Sequence, residues 1–201
     1  MKKIILLIYI CLNGLLHAQD VTPSDTYVRT CINDIECSSI NSSSFLFYDE
    51  ARGQFYIKID FNRLKTGVDS VDFWLNDLTD TYYYFKASLP PDQLPTLSTY
   101  NRKTFRLVGQ AFLNNVWHNQ TIEITVFRAE ADMLNNTTDA DRYAAYKVNF
   151  NLSIVPRDFG INKKPQRLSN TIFVGVGSGR INVLKQGMES LLGEAYNHST
   201  N

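Results

Sequence analysis

The chain has 201 residues, of which 44% are hydrophobic, and its 20 basic side chains are balanced by 20 acidic ones. This length suits one domain around one core. With no positive excess, a phosphate backbone would find few neutralising contacts, which excludes nucleic acid as a partner.

Residues 1–18 begin with Lys2 and Lys3, run apolar from Ile4 to Leu16 and end in Leu16-His17-Ala18. A basic start, an apolar middle and a small residue at the end predict a secretory signal peptide. A membrane span is not expected, because the run is short and broken by Asn13 and Gly14. Cys11 leaves with this leader, since Ile8-Tyr9-Ile10 before it lacks the small residue of a lipoprotein signal. Removal takes away two of the 20 basic side chains and none of the 20 acidic ones, leaving a net charge of about −2. Residues 19–201 are then expected to form a single periplasmic or secreted domain, with no later stretch long and apolar enough to span a bilayer.

Cys31 and Cys37 remain. In an exported chain this spacing predicts a disulfide across a small loop, stabilising by roughly 2 kcal/mol. Metal or redox chemistry is disfavoured because the spacing is not C-x-x-C and no histidine lies nearby.

From Gln54, Phe55, Ile57, Ile59 and Phe61 alternate with Tyr56, Lys58, Asp60 and Asn62, the pattern of a strand with one dry face. The period then changes: Val71, Trp74, Leu75 and Leu78 fall at helical spacing, predicting a short helix over 69–78 with Asp69 as N-cap and Trp74 as a core plug. Thr81 to Leu89 is again a strand, stopped by Pro90-Pro91, and its consecutive Tyr82, Tyr83 and Tyr84 must face alternate sides. The connection to Tyr100 is long enough for a mouth or lid loop.

Lys103 to Leu113 carries Phe105, Leu107, Gly109, Ala111 and Leu113 on one face. The small residues in its middle leave room either for a bend or for a bound molecule. Asn114-Asn115 supplies turn chemistry, Val116-Trp117-His118 extends the turn, and the return strand starts near Thr121. Glu130 to Tyr143 is polar and acidic without metal-loop spacing. Tyr146 to Ile154 alternates cleanly, and Pro156 ends it. In the last strand stretch, Thr171 to Leu184, the glycines at 175, 177 and 179 open no helix, so they mark bulges or a tight turn that would bend the stretch in two, and not a phosphate cradle. Gln186 to Tyr196 is expected to form a C-terminal helix.

About eight strands follow from this count, one or two of them before Tyr48, so the fold class is all-β: an eight-stranded antiparallel lipocalin-like β-barrel. Its expected interior is apolar, lined by Phe55, Ile57, Ile59, Phe105, Leu107, Gly109, Ile122, Ile124, Val148, Phe150, Leu152, Ile172 and Val174. Such a wall suits a hydrocarbon cargo bound by burial. Catalysis is not supported. Past the leader the histidines are His118 and His198, neither with a matched nucleophile, and no metal or cofactor is expected.

Three stretches together resemble the YceI-like family, periplasmic lipocalin-like barrels that hold polyisoprenoid lipids. They are the run Arg157-Asp158-Phe159-Gly160-Ile161 after a late strand, the pair Thr66-Gly67 leading into a small helix, and Phe105 to Gly109 followed by Val116-Trp117-His118 and a return strand. The resemblance covers residues 53–184, and before residue 50 the chain departs from the pattern. It implies an isoprenoid or other long-chain lipid as ligand. Arg157, with Arg180 as a second cation, is then expected to meet its polar or phosphorylated head near the mouth, the alternative being an Arg157–Asp158 surface pair or a loop-locking contact. A homo-oligomer stays open. The competing reading is an envelope or surface interaction protein with a filled barrel or sandwich core, using exposed aromatics such as Tyr83 or Trp117.

Overall fold

The two-residue repeat builds a closed barrel of eight strands: β1 (Ser24–Ile32), β2 (Ile35–Asp49), β3 (Gln54–Asp60), β4 (Tyr82–Ser88), β5 (Lys103–Leu113), β6 (Val116–Arg128), β7 (Tyr146–Ile154) and β8 (Ile172–Val183). This computed structural model describes residues 21–32, 35–78, 81–93, 102–128, 146–166, 168–184 and 192, with the backbone alone at 31, 32, 35–38 and 128. The leader at 1–18, the connections through 94–100 and 130–143 and, apart from Leu192, the helix expected at 186–196 lie outside the described residues.

Neighbouring strands pair antiparallel in chain order, and β8 returns to β1 with Thr26 opposite Val176. The expected all-β eight-stranded barrel is therefore what forms. Every strand of the closed sheet has a paired neighbour on each side along part of its length, which shortens the free edges.

The glycine run in β8 does not split the strand. Between the rungs Val148–Gly179 and Phe150–Val176 the register shifts, and beyond it Ile181 to Val183 leave β1 and run parallel to Leu46 to Tyr48 of β2. Gly179 makes this crossing possible: the Leu46 Cδ1 occupies the place of a side chain there, with Val176 Cγ1 2.8 Å from the same point. Asn182 then fastens the seam, its amide donating to the carbonyls of Leu46 (3.0 Å) and Thr22 (3.1 Å).

Both strands before Tyr48 exist, joined through residues 33–34. Their ladder sets Cys31 opposite Glu36 and Cys37 opposite Thr30. The side chains of Cys31 and Cys37, and with them the expected bridge, lie outside the described residues.

The helix α1 spans Asp69–Asn76, two residues shorter than expected, and buries Val71 and Leu75. Its N-cap is Val68, not Asp69. No side chain caps the helix; Asp72 instead accepts hydrogen bonds from the Thr66 amide and hydroxyl, both at 2.7 Å, and so ties the Thr66-Gly67 turn to the first helical turn. Trp74 packs partly buried against the core, and its indole donates to the Lys163 carbonyl at 2.9 Å.

The hairpin between β5 and β6 is tighter than the sequence suggested. Asn114 and Asn115 both take positive φ (52° and 58°), the pairing of Leu113 with Val116 closes a two-residue turn, and Val116, Trp117 and His118 belong to β6. This turn, α1 and a 3-10 turn at Pro156–Phe159 gather at one end of the barrel, here called the closed end. There Leu64, Val71, Leu75, Phe159 and Leu168 are buried in the same cluster as the strand interior.

Candidate binding site

Every expected lining residue except Gly109 falls in one apolar cluster. Phe55, Ile57 and Ile59 of β3, Leu107 of β5, Ile122 and Ile124 of β6, Val148, Phe150 and Leu152 of β7, and Ile172 and Val174 of β8 are buried, and Phe105 packs partly buried against them. Alternation places them together: one register step in any strand would move its whole apolar set outward.

Gly109 does not leave a gap. A β-carbon there would meet the Lys86 carbonyl, the Phe85 ring (Cζ 2.7 Å) and the Ala87 β-carbon (2.9 Å). The small residue lets β4 approach closely and makes room for the protein's own phenylalanine.

Sequence reasoning missed the residues that hold the closed end. The β6–β7 ladder stops at Glu123 opposite Asn151, and Gln120 reaches across beyond it, donating to the Ser153 carbonyl at 2.9 Å. Its Oε1 accepts from the Tyr83 hydroxyl at 2.7 Å. Tyr83, expected as an exposed aromatic, is fully buried, and burial pushes its phenol well above the ordinary range. Phe159 stands edge-on to both Tyr83 (6.1 Å) and His118 (5.8 Å). Asp158 lies 3.8 Å from His118 Nε2, and the Asn114 amide donates to the Phe159 carbonyl at 3.1 Å. The Arg-Asp-Phe-Gly run thus inserts a plug. Its signal in the sequence was Phe159, an apolar residue inside a charged turn, followed by Gly160 whose φ of 72° ends the 3-10 turn.

Arg157 and Arg180 are not brought together. Arg157 is exposed on the turn after Ile154, whereas Arg180 is exposed opposite Lys147, at the other end of β7. Seven residues of strand separate those rungs, about 23 Å. One head group does not reach both cations. Among the described residues neither guanidinium has an ion-pair partner.

On the outer face of β3 to β6, Lys58 Nζ lies 4.1 Å from the Tyr82 ring centroid and Lys86 Nζ 4.5 Å from that of Trp117. Trp117, the second aromatic expected as exposed, is half-buried and also packs tilted against Phe112, with ring centroids 4.9 Å apart. Burial lowers the pKa of both lysines, with Asp60 pulling Lys58 the other way. At the closed end an open groove of about 570 Å³ lies between Trp74, Asp77 and Leu78 on one side and Gly160 to Pro165 on the other. Among the described residues no helix is long and apolar enough to cross a membrane.

No protein-family model matches the chain, and no curated protein matches it in sequence. Solved structures do. A polyisoprenoid-binding domain from Saccharophagus degradans, implicated in plant cell wall breakdown, superposes with a TM-score of 0.56 at 14% identity, covering 78% of this chain and 92% of that one. BcnA of Burkholderia cenocepacia gives a TM-score of 0.45 at 12% identity, covering 75% and 92%. The chain shares the barrel fold of the first.

Proposed function

We propose that this chain is a lipid-binding barrel of the YceI-like kind, holding a polyisoprenoid or other long apolar chain against the inner face of β3 to β8. One observation carries the reading. Residues from six strands form a continuous apolar wall inside a closed barrel whose fold is shared with a polyisoprenoid-binding domain. A hydrocarbon on such a wall gains about 0.8 kcal/mol per buried methylene, so affinity comes from chain length. The reading includes a periplasmic or secreted location, supported by the leader-like residues 1–18, and binding without chemistry on the cargo.

The test is organic extraction of freshly purified protein followed by mass analysis, with native mass spectrometry alongside. A co-purifying species of lipid mass, displaced when an isoprenoid is added, is the expected result. A bare chain that binds no added isoprenoid would overturn the proposal. It would favour the filled-barrel interaction protein, for which the specific observation is the Phe85 ring lying where Gly109 lacks a side chain.

A further inference from the structure

We infer that the barrel seats a neutral hydroxyl on the inner face of β1 and β2, between Asn41 and Ser43, an assignment that rests on the lipid-binding reading above. The wall is not apolar all the way round. Thr26, Thr30, Ser39, Asn41, Ser43 and Ser44 make this sector polar, with Val28 the apolar exception on β1.

Part of the sector satisfies itself: the Thr26 hydroxyl lies 2.9 Å from the Ser44 hydroxyl. Part does not. Thr30 Oγ1, Asn41 Oδ1 and Ser43 Oγ are buried with no hydrogen-bond partner, and Thr30 and Ser43 are 0% exposed. Buried polar atoms are nearly always paired, so a run of unpaired ones points to a group that completes them. The backbone aims them deliberately. Ser42 pairs with Asp25 and Ser44 with Ser24, so Ser43 is the extra residue of a bulge, and it is buried beside Ser44 while Ser42 is exposed.

The chemistry of the pair selects the ligand. The Asn41 amide nitrogen donates to the Lys65 carbonyl at 3.1 Å, a partner that can only accept, so Oδ1 is the atom left over and it needs a donor. Ser43 Oγ can give or take a proton. Asn41 and Ser43 are two residues apart, roughly 6.6 Å along the strand, within reach of one hydroxyl. An alcohol both donates to Asn41 and accepts from Ser43. A carbonyl has no proton for Asn41, and a phosphate would place negative charge against Oδ1, which the described part of β1 and β2 does not offset with a cation on this face. The basic residue of β1 and β2 is Arg29, which lies over the Phe173 ring, on the side away from Val28. Thr30 is four residues beyond the rung of Asn41, about 13 Å along β1, and belongs to a separate contact.

Calorimetric titration of the full chain with farnesol, farnesyl phosphate and farnesene tests this. Farnesol should bind roughly ten-fold tighter than farnesene, the yield of one well-made hydrogen-bond pair, and tighter than the phosphate. Ser43→Ala should bring farnesol down to the farnesene level while leaving farnesene unchanged. The three-probe comparison on the native chain stands without the variant if that fails to fold. Equal affinities, as when an ordered water fills the seat, or a preference for the phosphate would overturn the hydroxyl seat and leave the lipid-binding reading in place. Binding of none of the three would remove both.

Discussion

The ring of Phe85 lies across Gly109, its Cζ 2.7 Å from where a β-carbon on that glycine would stand. The two residues sit on adjacent strands, with Phe85 paired to Ala111 and Ala87 to Gly109. A methyl group at 109 therefore meets a ring it can push and a Lys86 carbonyl it cannot. Gly109→Ala is expected to destabilise the fold by about 2 kcal/mol, read as a lower urea midpoint. An unchanged midpoint would mean that the interior has slack at this height after all.

The same pair shows where sequence reading stops. Alternation gave the strand Lys103 to Leu113 to the residue and put Gly109 on the inner face, because period and burial are local properties. What fills the space beside Gly109 comes from another strand, and no spacing within 103–113 reports it. The polar sector was hidden for a related reason. Ser38 to Ser44 has no apolar alternation, so neither its strand nor the Ser43 bulge could be placed from the residues alone. The N-cap was misplaced in a different way: Asp69 has the side chain of a cap but is already helical, Val68 takes the position, and only the fold brings Asp72 to Thr66.

Tyr83 makes stability pH-dependent at the alkaline end. Its folded pKa is raised by burial above the unfolded value of about 10. Below pH 10 both states keep the proton and the contribution is fully present. Above it the unfolded chain releases a proton that the folded chain retains, so stability falls as pH rises. Lys58 and Lys86, whose folded pKa values are lowered, act with the opposite sign below about pH 10.5, so comparison with a variant is needed to isolate the phenol. Tyr83→Phe should cost stability at pH 8 through the orphaned Gln120 oxygen, yet show a shallower loss between pH 9.5 and 11 in urea titrations. Parallel pH profiles for the two proteins would refute the assignment.

Asp72 holds α1 to the turn that precedes it. Its Oδ1 accepts from both the amide and the hydroxyl of Thr66, a residue with no exposed surface. Asp72→Ala strands two donors and should cost about 2 kcal/mol, with Asp72→Asn losing less. Hydrogen exchange supplies the local readout: the Thr66 amide should lose protection in Asp72→Ala, while amides in the β5–β6 ladder change only as far as global stability does. Protection retained at Thr66 would show that the turn is held by other contacts.

Arg157 and Phe159 are two residues apart and do different work. Phe159 is buried against Tyr83 and His118, so Phe159→Ala removes an aromatic side chain from the closed end and should cost about 3 kcal/mol or more. Arg157 is exposed on the outer side of the same turn, so Arg157→Ala should change stability by less than about 0.5 kcal/mol. The plug also stands between Arg157 and the interior, which is why the lipid recovered by organic extraction should be the same in amount and kind from Arg157→Ala as from the native chain. Loss of lipid from Arg157→Ala at unchanged stability would place the head group at Arg157 and argue that Phe159 swings aside when the barrel is loaded.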